Sequence, residues 1–154
     1  MVFAAGGVVM AAAVAIALVR RRLVVITVQG ISMLPTYRPG ERVLVRRAGL
    51  DRVRRGDVVV VREPEDDRPA GTGWMIKRLA AVPGDPHPAG DLPAGATEQD
   101  VPAGLFAVRG DNTGASYDSR YFGFLPASDL LGVVTRRFGS ANVSTLNDQR
   151  TSSS

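Results

Sequence analysis

Between Leu23 and Phe138 the chain carries six short runs rich in β-branched residues, with no amphipathic helical pattern between them. They are "LVVITV" (23–28), "ERVLVRR" (41–47), "DVVVVRE" (57–63), "WMIKRLAAV" (74–82), "GLFAVRG" (104–110) and "LLGVVTRRF" (130–138). Turn signals separate them: "RPG", "RRGD", "PGD" and "GDN". Parallel strands need long crossovers, usually helices, and none is written here. The pattern therefore predicts a mostly β fold, with an antiparallel coiled sheet or partial barrel. Two stretches, "PEDDRPAGTG" and "PGDPHPAGDLPAGATEQDVPAG", read as Pro/Gly/acid-rich loops. No internal repeat is visible.

The N-terminus follows a different rule. Residues 2–19, "VFAAGGVVMAAAVAIALV", hold no charged side chain, and Arg20, Arg21 and Arg22 end the run. As a helix this run would reach about 27 Å, close to the roughly 30 Å hydrocarbon core of a bilayer. A cleavable secretory signal carries its basic residues ahead of the apolar stretch, and here they follow it. The expectation is a single transmembrane anchor over residues 1–22, a folded domain over 23–138, and a flexible tail over 139–154. The positive-inside tendency would leave everything after the three arginines in the cytoplasm.

The net charge of +4 invites a nucleic-acid reading, but the arginines are scattered and aromatics make up only 6% of the chain. An anionic lipid bilayer suits this charge better than nucleic acid does. With no cysteine and one histidine, thiol nucleophiles, disulfides and histidine-rich zinc sites are excluded by count. His87 lies between two prolines in a loop, a poor place for a positioned base. Hydrolytic chemistry here must use Ser, Thr, Asp, Glu or Lys.

Eighteen of the 19 basic residues are arginine, and Lys77 is the single exception. Lysine can lose its proton inside a protein, whereas arginine in practice cannot. A free lysine is about one part in a thousand neutral at pH 7, so half-neutrality costs the charged form about 4 kcal/mol. Burial supplies such a cost, and Met75, Ile76 and Leu79 surround Lys77 in sequence. In "QGISMLPT", Ser32 follows a strand and a glycine and precedes a proline that fixes the turn. Ser32 and Lys77 together make a candidate serine–lysine dyad, in which a neutral amine takes the hydroxyl proton as serine attacks a carbonyl.

With these pieces in place the chain resembles the type I signal peptidases, membrane-bound serine–lysine endopeptidases of the S26 type. The resemblance rests on the apolar start, "GISMLPT", "RRGDVVVV", "IKRLAAVPGD" and "GDNTGASYDSRYFGFLP", in that order, over most of residues 2–126. It implies Ser32 as nucleophile and Lys77 as general base. Ser116 would then orient the lysine amine, Asp118 and Arg120 form a supporting ion pair, and Asp111 face Arg78. Met33 would pack beside the nucleophile. Gly30 brings no hydroxyl, so the oxyanion would rest on backbone N–H groups, that of Ser32 included. The resemblance also implies exported preproteins as substrates, cut after small residues, with no cofactor or metal. It implies a catalytic domain on the outer membrane face, against the charge rule. Ile31 and Leu34, with residues 23–29, are expected to line shallow substrate pockets. Two alternatives remain open in the sequence: a dedicated maturation protease for one leader peptide, possible on the cytoplasmic side, and a catalytically silent signal-peptide-binding scaffold. A soluble self-cleaving repressor would need a DNA-binding domain in place of the apolar start.

Overall fold

The computed structural model describes residues 10, 21–64, 73–86 and 100–139. Each of the six runs forms a strand: β1 Leu23–Thr27, β2 Arg42–Arg47, β3 Val58–Arg62, β4 Trp74–Ala81, β5 Leu105–Arg109 and β7 Leu130–Phe138. A two-residue strand, β6 Leu125–Pro126, and a four-residue helix, α1 Ser119–Phe122, complete the set of elements used below. The strands join in one sheet of order β1-β2-β7-β3-β4-β5-β6, every neighbour antiparallel. The expected mostly β, antiparallel fold is the one observed.

The central strand explains why "VVVV" does not alternate. Val59 and Val61 join Leu79, Phe106 and Val108 in one core, while Val58 and Val60 join Val28, Met33 and Ile76 in another. Both faces of β3 are covered, so both sets of side chains must be apolar. Burying each such valine contributes about 1.5–3 kcal/mol.

Register shifts at Leu44/Val45, Val60/Val61 and Leu79/Ala81 bend the sheet. In a flat sheet β1 and β4, four positions apart, would stand about 19 Å from each other. Instead Val28 at the end of β1 and Ile76 of β4 share a core, and residues of both segments line one cavity. The sheet is therefore curled, and its hollow side holds the site. Among the described residues no helix is long and apolar enough to cross a membrane. The expected anchor falls, apart from Met10, Arg21 and Arg22, outside the described residues, as do His87 and residues 140–154.

Candidate active site

A cavity of about 660 Å³ opens between β1 with the turn after it and the first half of β4. Its walls are largely apolar, including Val25, Val28, Val60, Trp74 and Ile76, and both Ser32 and Lys77 line it. Ser32 sits in a turn that begins at Gly30, whose φ of +73° is open to glycine and strained for other residues. Met33, 1% exposed, pins that turn into the core. Lys77 is only 3% exposed in the cavity wall. Its amine donates to Ser116 Oγ at 3.0 Å, and that is the hydrogen bond holding its tip. Ser32 and Lys77 are thus brought to one cavity, with Ser116 as the amine's partner.

The segment after β5 supplies the clamp. Gly110 N–H donates to Asp118 at 2.9 Å, and Arg120 grips the same carboxylate through Nε at 2.8 Å and a second guanidinium nitrogen at 2.9 Å. Asp118 is fully buried, and it also caps α1 by accepting from Arg120 N–H. Asp111 forms a fork with Arg78, at 2.7 and 2.6 Å, and accepts from the Thr36 hydroxyl. Asn112 reaches back to the Ser32 turn, its N–H on Ser32 O at 2.9 Å and its amide on Ile31 O at 3.2 Å. Three consecutive residues, 110–112, therefore tie the lysine side of the site to the serine side.

The family profile described as "Signal peptidase, peptidase S26" matches residues 3–86 and 87–138, which takes in every residue just named. The chain belongs to the signal peptidase S26 family. It is 29% identical over 134 residues to a signal peptidase I of Leptolyngbya laminosa, covering 72% of this chain and 66% of that protein. To a signal peptidase IB of Staphylococcus aureus strain COL it is 29% identical over 150 residues, covering 73% of this chain and 75% of the relative. It spans about two thirds of the length of the first and three quarters of the second.

The electrostatics of this S26 member centre on the buried amine. Burial lowers the Lys77 pKa; the charges of Asp118 and Glu63 oppose that, and Arg120 assists it. Burial alone would raise Asp118, but hydrogen bonds from Arg120, Gly110 and Ser116 outweigh it and hold the carboxyl at about 2. Asp118 is therefore an anion at any working pH, and an anionic carboxylate only accepts. The Ser116 hydroxyl proton goes to Asp118, so Ser116 offers Lys77 a lone pair. A neutral amine that donates to Ser116 keeps its own lone pair for a proton from elsewhere. The hydrogen bond from Arg78 lowers Asp111, which makes that fork a permanent brace.

Several participants were not singled out by sequence reasoning. Gly110, Asn112 and Thr36 sit in "GDN" and "MLPT", segments legible as turns but silent about whom they touch. Glu63 lines the cavity although its run reads as an ordinary strand end. The expected pocket residues Ile31 and Leu34 are not among the lining; Ile31 is 50% exposed. Ile31 follows the left-handed turn at Gly30 and faces solvent, whereas residues 25–29 of the expected stretch do line the cavity, joined by Val60, Trp74, Met75 and Ile76.

Proposed function

We propose that the chain is a membrane-anchored serine endopeptidase that removes signal peptides from exported preproteins. Ser32 attacks the scissile carbonyl and passes its proton to neutral Lys77. The oxyanion rests on backbone N–H groups of the nucleophile turn, that of Ser32 included, because Gly30 has no hydroxyl. Lys77 then protonates the departing amine, and a water that gives its proton to Lys77 hydrolyses the ester. Ser116 and Asp118 keep the amine aimed, and Arg78, Asp111 and Arg120 hold the frame. No cofactor or metal enters these steps.

Two strand edges support an extended substrate. β1 pairs only with β2, and β5 accompanies β4 only from Arg78 onward. The outer edge of β1 and the edge Met75–Lys77 have no strand beside them among the described residues, and both border the cavity. A peptide laid between them gains main-chain hydrogen bonds, while alternate side chains enter apolar walls that suit small residues. The apolar run 2–19 would anchor the enzyme, with the catalytic domain on the outer face where exported chains emerge.

One observation carries the reading: a lysine amine buried and held by a serine opens into the same cavity as Ser32. The test is incubation of the full chain in detergent with a preprotein bearing an Ala-x-Ala site. Cleavage after the second alanine, lost in Ser32→Ala with unchanged melting, is the expected result. A folded protein that neither cuts the preprotein nor reacts at Ser32 with a serine-acylating inhibitor overturns it.

A further inference from the structure

Among the described residues the cavity lining holds two ionisable side chains, Lys77 and Glu63, in otherwise apolar or neutral walls. Lys77 is accounted for by the chemistry; Glu63 is not. It stands just past the end of β3, where its backbone N–H bonds to Gly73 O at 3.0 Å beside the start of β4. Gly73 is four residues before Lys77, about 13 Å along a strand. Arg62, the adjacent cation, turns instead to the Trp74 ring at 5.1 Å and to Asp129 at 3.9 Å. Glu63 is thus the one acidic side chain among the described residues of the lining. A site built only for small apolar side chains gains nothing from a carboxylate there, since desolvating it is costly.

We propose that Glu63 makes the cavity wall around it a cation-selecting subsite, which favours peptides carrying Lys or Arg three to five residues from the scissile bond. The backbone register sets the position: Glu63 pairs beside Gly73, just ahead of β4 and four residues from Lys77, and an extended peptide has the same rise per residue. A side chain of that length and charge reaches the carboxylate, and an acidic one is repelled. The inference uses the peptidase reading for its substrate, but the charge preference stands on the cavity itself.

Trp74 is the chain's only tryptophan and lines this cavity, so its fluorescence reports occupancy. The full chain is titrated with peptides built on an Ala-x-Ala site, with Lys, Ala or Glu scanned through five positions on each side. The expected result is binding and cleavage about five- to tenfold better with Lys than with Glu at one or two adjacent positions, weakening with salt. Glu63→Gln brings the Lys/Glu ratio near one, and Glu63→Lys inverts it. Using a ratio cancels any general effect on Lys77. Equal cutting of Lys and Glu peptides, or a ratio unchanged in Glu63→Gln, overturns the subsite and leaves the peptidase standing. A charge-selective titration without cleavage does the reverse. Neither binding nor cleavage of any peptide overturns both.

Discussion

Gly110 is the position where one added methyl should do most damage. A Cβ there would lie 2.1 Å from Ser116 Oγ, 2.4 Å from Ser116 Cβ and 2.6 Å from Ser32 O. Two of these atoms belong to the side chain that holds Lys77, and the third to the backbone of the proposed nucleophile. Neither is the far end of a flexible chain, and Asn112 N–H already fixes Ser32 O. Something must therefore move by close to an ångström. Overpacking of this kind costs about 1–3 kcal/mol. At about 2–4 °C per kcal/mol for a domain of this size, Gly110→Ala should melt roughly 2–12 °C lower. Misplacing Ser116 should also cost about a hundredfold in turnover. Melting is followed by circular dichroism and turnover with an Ala-x-Ala peptide. Ser116→Gly removes the two nearest atoms, so the double variant should lose less stability than the two singles added together. Gly110→Ala melting within about one degree of the parent, or strictly additive losses, would refute the packing argument.

Other perturbations separate the roles of the remaining groups. Lys77→Arg keeps the charge but cannot supply a neutral base, so turnover should fall at least about a thousandfold with the β circular dichroism intact. The rate should rise with pH through the lowered Lys77 pKa, because only the neutral amine accepts the serine proton; a flat profile in the parent contradicts that role. Stability should climb over the same window, from the lowered folded pKa to the unfolded value near 10.4, since the unfolded chain binds a proton there that the folded one does not. Lys77→Met should remove that slope in melting-versus-pH curves and melt above the parent at neutral pH. Asp118, held at about 2, contributes about 2 kcal/mol above its unfolded pKa, and this is lost as pH falls through about 2. Asp118→Asn should accordingly melt well below the parent at pH 6, with the gap narrowing between pH 4 and pH 2.

The strands were legible because burial on a pleated sheet leaves a local trace. "DVVVVRE" is apolar throughout since both faces of β3 are covered, and "ERVLVRR" alternates because only Val43 and Val45 turn inward. β6 left no such trace: two residues, one of them proline, pair with Leu105 and Phe106 through a contact that sequence separation hides. The curl was invisible for a related reason. It arises from register shifts, where one strand gains a residue on its neighbour, and no residue type marks those places.

The site divides along the same line. Residue types with rare chemistry announce themselves, and a single lysine among 18 arginines is such a case. What makes the lysine usable does not. Its lowered pKa depends on burial by strands distant in sequence, and its direction depends on Ser116 spending its proton on Asp118. That direction in turn needs Asp118 to stay ionised while fully buried, which Arg120 and the Gly110 N–H secure. Gly110 can serve only because it lacks a side chain; any Cβ would occupy the space of Ser116 itself. Each link constrains the next through contact, not through sequence spacing. The lone lysine was therefore readable from composition, while the hydrogen bonds around its amine exist only once β4, β5 and the 110–120 segment are folded together.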